Sequence, residues 1–140
     1  MKIRQMNKSD ISDIVELENK YLGTTLGESY FNQLIDDPTA CFLVLEENDN
    51  IVAYISSTID EYSEILNFFV IKEAQRKGYG YLLLNEVIKR ASGKSRSIYL
   101  EVNEHNDAAI ALYLKCGFKI DHIRKNYYKD ANAYAMIKEL

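Results

Sequence analysis

The segment QRKGYG, Gln75 to Gly80, sets two cations and two glycines between an apolar run, ILNFFVI, and a second one, YLLLNEVI. A turn that delivers the chain from a buried strand into a helix presents backbone N–H groups with no intrahelical partner, at the positive end of the helix dipole. Gly78 and Gly80 withhold side chains so that an anion can approach those groups, Arg76 and Lys77 add charge, and Gln75 and Tyr79 complete the turn. A pyrophosphate fits that description. Leu83 stands where a dinucleotide fingerprint needs its third glycine, and no Gly-Lys-Ser/Thr follows as a P-loop requires. A tight turn without a ligand is the other reading of these residues taken alone.

A second group of polar residues lies in LEVNEHNDAAIALYLKCGF. Along an alternating strand Tyr99, Glu101 and Asn103 share one face and Ile98, Leu100 and Val102 the other, so Glu101 can reach a cleft. The plainer alternative is a carboxylate solvated on the sheet surface. Tyr113 falls one helical turn after Ala109 and Ile110 on an apolar face, where tyrosines commonly join the core with the hydroxyl satisfied. Asn106 sits where an N-cap would, before a helix from Asp107. His105 and His122 have no metal-ligand companions and read as surface histidines, so no metal is expected.

The elements that must hold these residues follow from periodicity and turn chemistry. A short strand covers Lys2 to Met6, and Ser9 is the expected cap of a helix in which Ile11, Ile14 and Val15 share a face. A second helix over Ser29 to Ile35 ends before Pro38, the sole proline. CFLVLEE and IVAYISSTID form a hairpin around EENDN, and SEILNFFVI adds a third antiparallel strand after DEYS. Then come a helix over Tyr81 to Ala91, the strand SIYLEV and a helix from Asp107 to Lys115. Strand, helix, strand implies a parallel pair with a right-handed crossover. FKIDHIRKNYY and AYAMIKEL close the chain as a hairpin. The expected architecture is one α/β domain over residues 1–140, with a mixed central sheet and helices on both faces.

Q-x-x-G-x-G followed by L-E-V-x-x-x-N-x-x-A-I-x-L-Y-x-x-x-G-F resembles the GNAT superfamily of N-acetyltransferases, and within it the bacterial ribosomal-protein-alanine N-acetyltransferases of the RimI type. The likeness is strongest from Phe68 to Tyr128. It implies acetyl-CoA between two splayed parallel strands, with its pyrophosphate on Gln75 to Gly80 and its amide-bearing arm paired to backbone near Phe68 and Val70. A backbone N–H close to Val70 would polarise the thioester. Asn106 matches a cofactor contact, Glu101 and Tyr113 match the base and acid, and Asn103, Tyr127 and Tyr128 fall on the acceptor side. The implied acceptor is a protein N-terminus, such as that of a ribosomal protein. Two departures concern that acceptor: Asn103 replaces a common arginine, and VIKEAQ lacks the usual proline.

Composition narrows the setting. With 140 residues, 47% of them hydrophobic, the chain can bury a core by itself. Seventeen basic against 21 acidic residues give a net charge of -4 with no basic block, which argues against nucleic acid as a partner. Cys41 and Cys116 lie in apolar runs without metal or redox spacing and are expected to be reduced and buried. No apolar run is long enough for a membrane span, and MKIRQMNKSD lacks a signal-peptide core, so a cytoplasmic protein is expected. Transfer to a small amine or a lysine, and a non-catalytic acyl-CoA sensor, are the rival functions. Oligomeric state has no signature in the sequence.

Overall fold

Asn48 and Asp49 both take positive φ, 53° and 64°, the conformation of a two-residue hairpin turn whose twist matches the strands it joins. In the computed structural model, which describes residues 1–140, that turn joins β2 (Ala40–Glu47) to β3 (Asn50–Thr58). The remaining elements are β1 (Lys2–Gln5), α1 (Ile11–Leu22), α2 (Glu28–Leu34), β4 (Tyr62–Val70), α3 (Tyr79–Ala91), β5 (Ser97–Asn103), α4 (Asp107–Lys115), β6 (Lys119–Tyr128) and β7 (Ala131–Glu139). All seven strands form one sheet in the order β1-β2-β3-β4-β5-β7-β6. Only β4 and β5 run parallel.

Each face of the sheet carries its own core. α3 and α4 cover one face, where Leu83, Leu84 and Val87 pack on Leu43, Leu45, Ile55, Ile98 and Leu100. α1 and α2 cover the other, where Ile14 and Phe31 meet Phe42, Val44, Tyr54 and Phe69. Each such buried aliphatic or aromatic side chain contributes about 1.5–3 kcal/mol. Between β3 and β4 the register steps from Ser56↔Asn67 to Ser57↔Ile65, so Leu66 is an extra residue, a β-bulge. The bulge resets the alternation. Ile65 and Phe68, three apart, both join the α3/α4 core, while Phe69 joins the other.

Two boundaries differ from expectation for physical reasons. Asn7, not Ser9, caps the N-terminal turn. Its Oδ1 accepts from the Ser9 N–H at 3.0 Å, and Asp10 Oδ2 accepts from the Asn7 N–H at 2.9 Å, a reciprocal capping box over a 3₁₀ turn that precedes α1. Helix α3 starts at Tyr79 rather than Tyr81, because Gly78 at φ 81° serves as its left-handed N-cap. Cys41 and Cys116 are buried and unpaired.

Arg4 fastens the N-terminal strand. It donates to both Asp10 oxygens at 2.7 and 2.9 Å and to Glu46 of β2 at 2.7 Å. The Arg4 guanidinium holds the Asp10 carboxyl below its ordinary value, with the Asn7 N–H adding to the effect against the opposing cost of burial. A depressed carboxyl contributes stability that is complete above its unfolded value near 3.9 and is lost as pH falls through the native one. Asp10→Asn is therefore expected to cost about 1–3 kcal/mol at neutral pH. In denaturant unfolding, the gap from wild type should shrink below about pH 4.

Candidate functional site

Backbone hydrogen bonds show where the sheet is incomplete. Parallel pairing between β4 and β5 covers Tyr62↔Ser97, Ser63↔Ile98 and Glu64↔Tyr99 and then stops. Beyond that point β4 stays with β3, and β5 stays with β7 through Leu100↔Met136 to Asn103↔Ala133. The facing edges of β4 and β5 are left without a strand partner. The Asn67 N–H bonds the Ser56 hydroxyl at 3.0 Å and the Ile71 N–H bonds the Val52 carbonyl at 2.9 Å, both towards β3. By alternation Phe68 and Val70 turn their N–H and C=O groups into the gap. One of these groups has a protein partner there: the Val70 carbonyl accepts from Gln75 Nε2 at 3.1 Å. Unpaired edge groups call for a partner, and an extended, amide-bearing chain supplies one as an added strand. The gap opens into a cleft of about 340 Å³ between Ile65 to Phe68 and Leu100 to Asn103, with Tyr21, Leu22, Thr24, Asn106, Tyr113 and Tyr128 completing its walls.

The glycine turn lies at the far end of β4. The first helical hydrogen bond of α3 runs from the Leu82 N–H to the Gly78 carbonyl at 3.1 Å, so the N–H groups of Tyr79, Gly80 and Tyr81 have no intrahelical acceptor. Space beside Gly78 is open, and both Gly78 and Arg76 (φ 66°) are left-handed. Gly80 has a packing reason to be bare: a Cβ there would lie 3.4 Å from Leu112 Cδ2 and from Phe68 Cζ. The missing side chain lets α3 pack against β4 and α4, while the Gly80 N–H still belongs to the open turn. The two cations also differ. Lys77 Nζ contacts Glu47 of β2 at 3.1 Å, and the Tyr79 hydroxyl donates to the same carboxylate. Arg76 is in no ion pair and is exposed.

The opposite end of the cleft holds a carboxylate and a phenol. Glu101 faces it from β5, and Arg124 of β6 donates to Glu101 Oε2 at 2.5 Å. Arg124 also stacks over Tyr127, 4.5 Å from the ring centre, and Tyr127 meets Tyr128 edge-on at 5.0 Å. Of that aromatic pair, Tyr128 lines the cleft and Tyr127 stays outside. Tyr113 is 7% exposed and packs between Phe68 and Phe118. Burial first, then the neighbouring Tyr128, push its phenol well above the ordinary value. Asn106 does cap α4, its Oδ1 accepting from the Ala109 N–H at 3.2 Å, and it borders the cleft as well. Asn103 Oδ1 is occupied by the His105 N–H at 2.9 Å.

Sequence reasoning missed several wall residues. Tyr21, Leu22 and Thr24 come from the end of α1 and the loop after it, and Asn67 from beside the bulge. Nothing local marks them. Arg124 is visible in IRKNYY, but its pairing with Glu101 follows from β7 lying between β5 and β6. No group of three or more His, Cys, Asp or Glu side chains is positioned to hold a metal.

A splayed strand pair with an anion turn at one end and a carboxylate and a phenol at the other defines a site for group transfer from an extended, phosphate-bearing donor. The chain belongs to the acetyltransferase (GNAT) family, whose sequence profile matches residues 10–118. It is 31% identical over 137 residues to the [ribosomal protein bS18]-alanine N-acetyltransferase of Haemophilus influenzae, covering 90% of this chain and 86% of that one. Identity to an N-alpha-acetyltransferase of Sulfurisphaera tokodaii is 26%, over 99% of this chain and 93% of the relative. The crystal structure of the ribosomal-protein-S18-alanine N-acetyltransferase from Escherichia coli superposes with a TM-score of 0.87 at 26% identity, covering 99% and 92% of the two chains. The protein is an N-acetyltransferase.

The different surroundings of the two cations lead to a test. Arg76→Ala should weaken acetyl-CoA binding about fivefold to tenfold, the scale of one charge-assisted hydrogen bond. Lys77→Ala, whose charge is already matched by Glu47, should change it by less than about twofold. Calorimetric titration of the two variants checks the order.

Proposed function

We propose that the acceptor is the N-terminal α-amine of a protein, acetylated by direct attack in a ternary complex. The observation that carries this reading is the acceptor end of the cleft. There Tyr21, Thr24 and Tyr128 line the same cleft as Glu101, beside the open β4 edge, a setting suited to a chain end that enters amine first. The names of the relatives point the same way, to ribosomal-protein N-termini. Two buried, unpaired cysteines suit a reducing compartment, and a cytoplasmic setting is part of the proposal.

The chemistry asks for a neutral amine. An α-amine near 7.7–8.0 is partly neutral at pH 7, whereas a lysine near 10.4 is neutral about once in several thousand molecules. Glu101 receives the ammonium proton directly or through a water, while Arg124 holds one of its oxygens and fixes the direction of the other. Nitrogen then bonds the acetyl carbon and the carbon–sulfur bond breaks, with the backbone N–H near Val70 aimed at the carbonyl oxygen. Tyr113 faces the departing sulfur. Its raised phenol stays protonated throughout the working pH range, so it serves as a hydrogen-bond donor, and full proton return to a thiolate near 8.5 is uphill.

Glu101→Gln keeps the size and loses the proton acceptor, and should lower kcat by about 10² to 10⁴. With an α-amine acceptor, kcat/KM should climb with pH through a midpoint near 7.7–8.0 and then level off, while a lysine acceptor would keep it rising well past about pH 9. Peptides with a free small N-terminal residue should be acetylated once, at that amine, and N-blocked peptides carrying an internal lysine left untouched. Mass spectrometry placing the acetyl group on the lysine with comparable efficiency would overturn the α-amine reading.

A further inference from the structure

Glu18 is the buried charge of α1, with 0% exposure and no cation in contact. Three donors converge on its carboxylate. The Thr25 hydroxyl at 2.6 Å and the Leu26 N–H at 3.1 Å reach Oε1, and Asn67 Nδ2 at 2.7 Å reaches Oε2. Thr25 in turn accepts from the Gly27 N–H at 3.1 Å, which extends the network to the start of α2. Burying a carboxylate with no cation beside it is expensive, so a group kept there must be needed for what it holds.

What it holds is a pair of walls. Thr25 and Leu26 belong to the loop after α1, which with Tyr21, Leu22 and Thr24 forms one side of the acceptor cleft. Asn67 directly follows the bulge residue Leu66, and Leu66 to Phe68 form the adjoining side. Of the side chains that could fill this position, only a carboxylate accepts at both ends. Glutamine presents an amide N–H₂ to one set of donors, and an apolar residue leaves all three unpaired. The Tyr54 hydroxyl is buried near this network without a hydrogen-bond partner. Burial, first of all, and the nearby Glu18 push its phenol well up.

We infer that Glu18 is a positioning residue for acetyl transfer: its carboxylate locks the α1–α2 loop to the β4 bulge and sets the width of the acceptor slot. The inference rests on the acceptor lying in this cleft, whichever amine it carries. Glu18 does not line the cleft, so its loss falls on the acceptor more than on acetyl-CoA, whose anion turn and β4 edge run outward from Phe68.

A swap of acid and amide tests the lock. Glu18→Gln should raise the acceptor KM about tenfold, the effect of losing one hydrogen bond to a charged group. It should leave the acetyl-CoA dissociation constant within about twofold and speed amide exchange at Leu26 about tenfold, since the same lost bond is read in both. In the double variant Glu18→Gln/Asn67→Asp, the amide introduced on α1 donates to the carboxylate introduced on β4, while its oxygen still accepts from Thr25 and Leu26. Acceptor KM and Leu26 exchange should both return to within about threefold of wild type, the signature of coupled neighbours. The kinetics use whichever amine the wild-type enzyme turns over, so a lysine acceptor would sink the α-amine reading and leave this test intact. Where Glu18→Gln fails to fold, Thr25→Val decides, with an expected rise of about threefold in acceptor KM. An unchanged acceptor KM in a folded variant, or a swap no better than the single change, overturns the inference.

Discussion

The separation of β4 from β5 is the constraint on which the rest of the molecule depends. A parallel pair that continued beyond Glu64 and Tyr99 would satisfy its own backbone and leave nowhere for a donor to lie. The extra residue at Leu66 prevents this on the β4 side. It bends the strand, keeps it bonded to β3 and turns the Phe68 and Val70 groups into open space. On the β5 side, continuous pairing from Ser97 to Asn103 keeps the strand with β7, so the two edges part. α4 fills the space beneath the opening, with Tyr113 packed against Phe68, so the fork is floored by protein and cannot close on itself. Unmade hydrogen bonds thus become a binding edge.

Charge is distributed around this fork in two opposed ways. At the anion turn Arg76 carries no ion pair and Lys77 is drawn to Glu47, so the positive charge that remains uncommitted sits on the left-handed residue of the turn. At the acceptor end the situation is reversed: Glu101 is matched by Arg124, which is itself steadied on the ring of Tyr127. A carboxylate held on one oxygen keeps a fixed direction, and in the proposed reaction the other oxygen is the one that meets the amine. That arrangement uses β6, the edge strand, to reach across β7 and finish a site built on β5.

Much of this is legible in the residues because the elements with strong local signals are also the ones that border the fork. The glycine turn, the alternation around Glu101 and the helix of Tyr113 each announce themselves within a few residues. Less visible are features that depend on long-range register. The bulge at Leu66 leaves no mark in SEILNFFVI, since Ile65 and Phe68 reveal their common face only once β3 is paired. That Gly80 is also bare for packing shows only when Phe68 and Leu112 are seen beside it. Ser9 looks like a cap because hydroxyls favour that position, yet Asn7 wins through a reciprocal bond with Asp10. Glu18 lies in a polar stretch of α1, ELENK, where nothing separates a buried carboxylate from solvated ones.

The central claim is that the donor completes the sheet at the unpaired edge of β4. Amide hydrogen exchange at Phe68 and Val70, followed by NMR with and without saturating acetyl-CoA, tests it most directly. Strong new protection at both amides, with Asn67 and Ile71 already protected through β3, is the predicted result. Unchanged exchange at Phe68 and Val70 in a protein shown to be saturated with acetyl-CoA would contradict it.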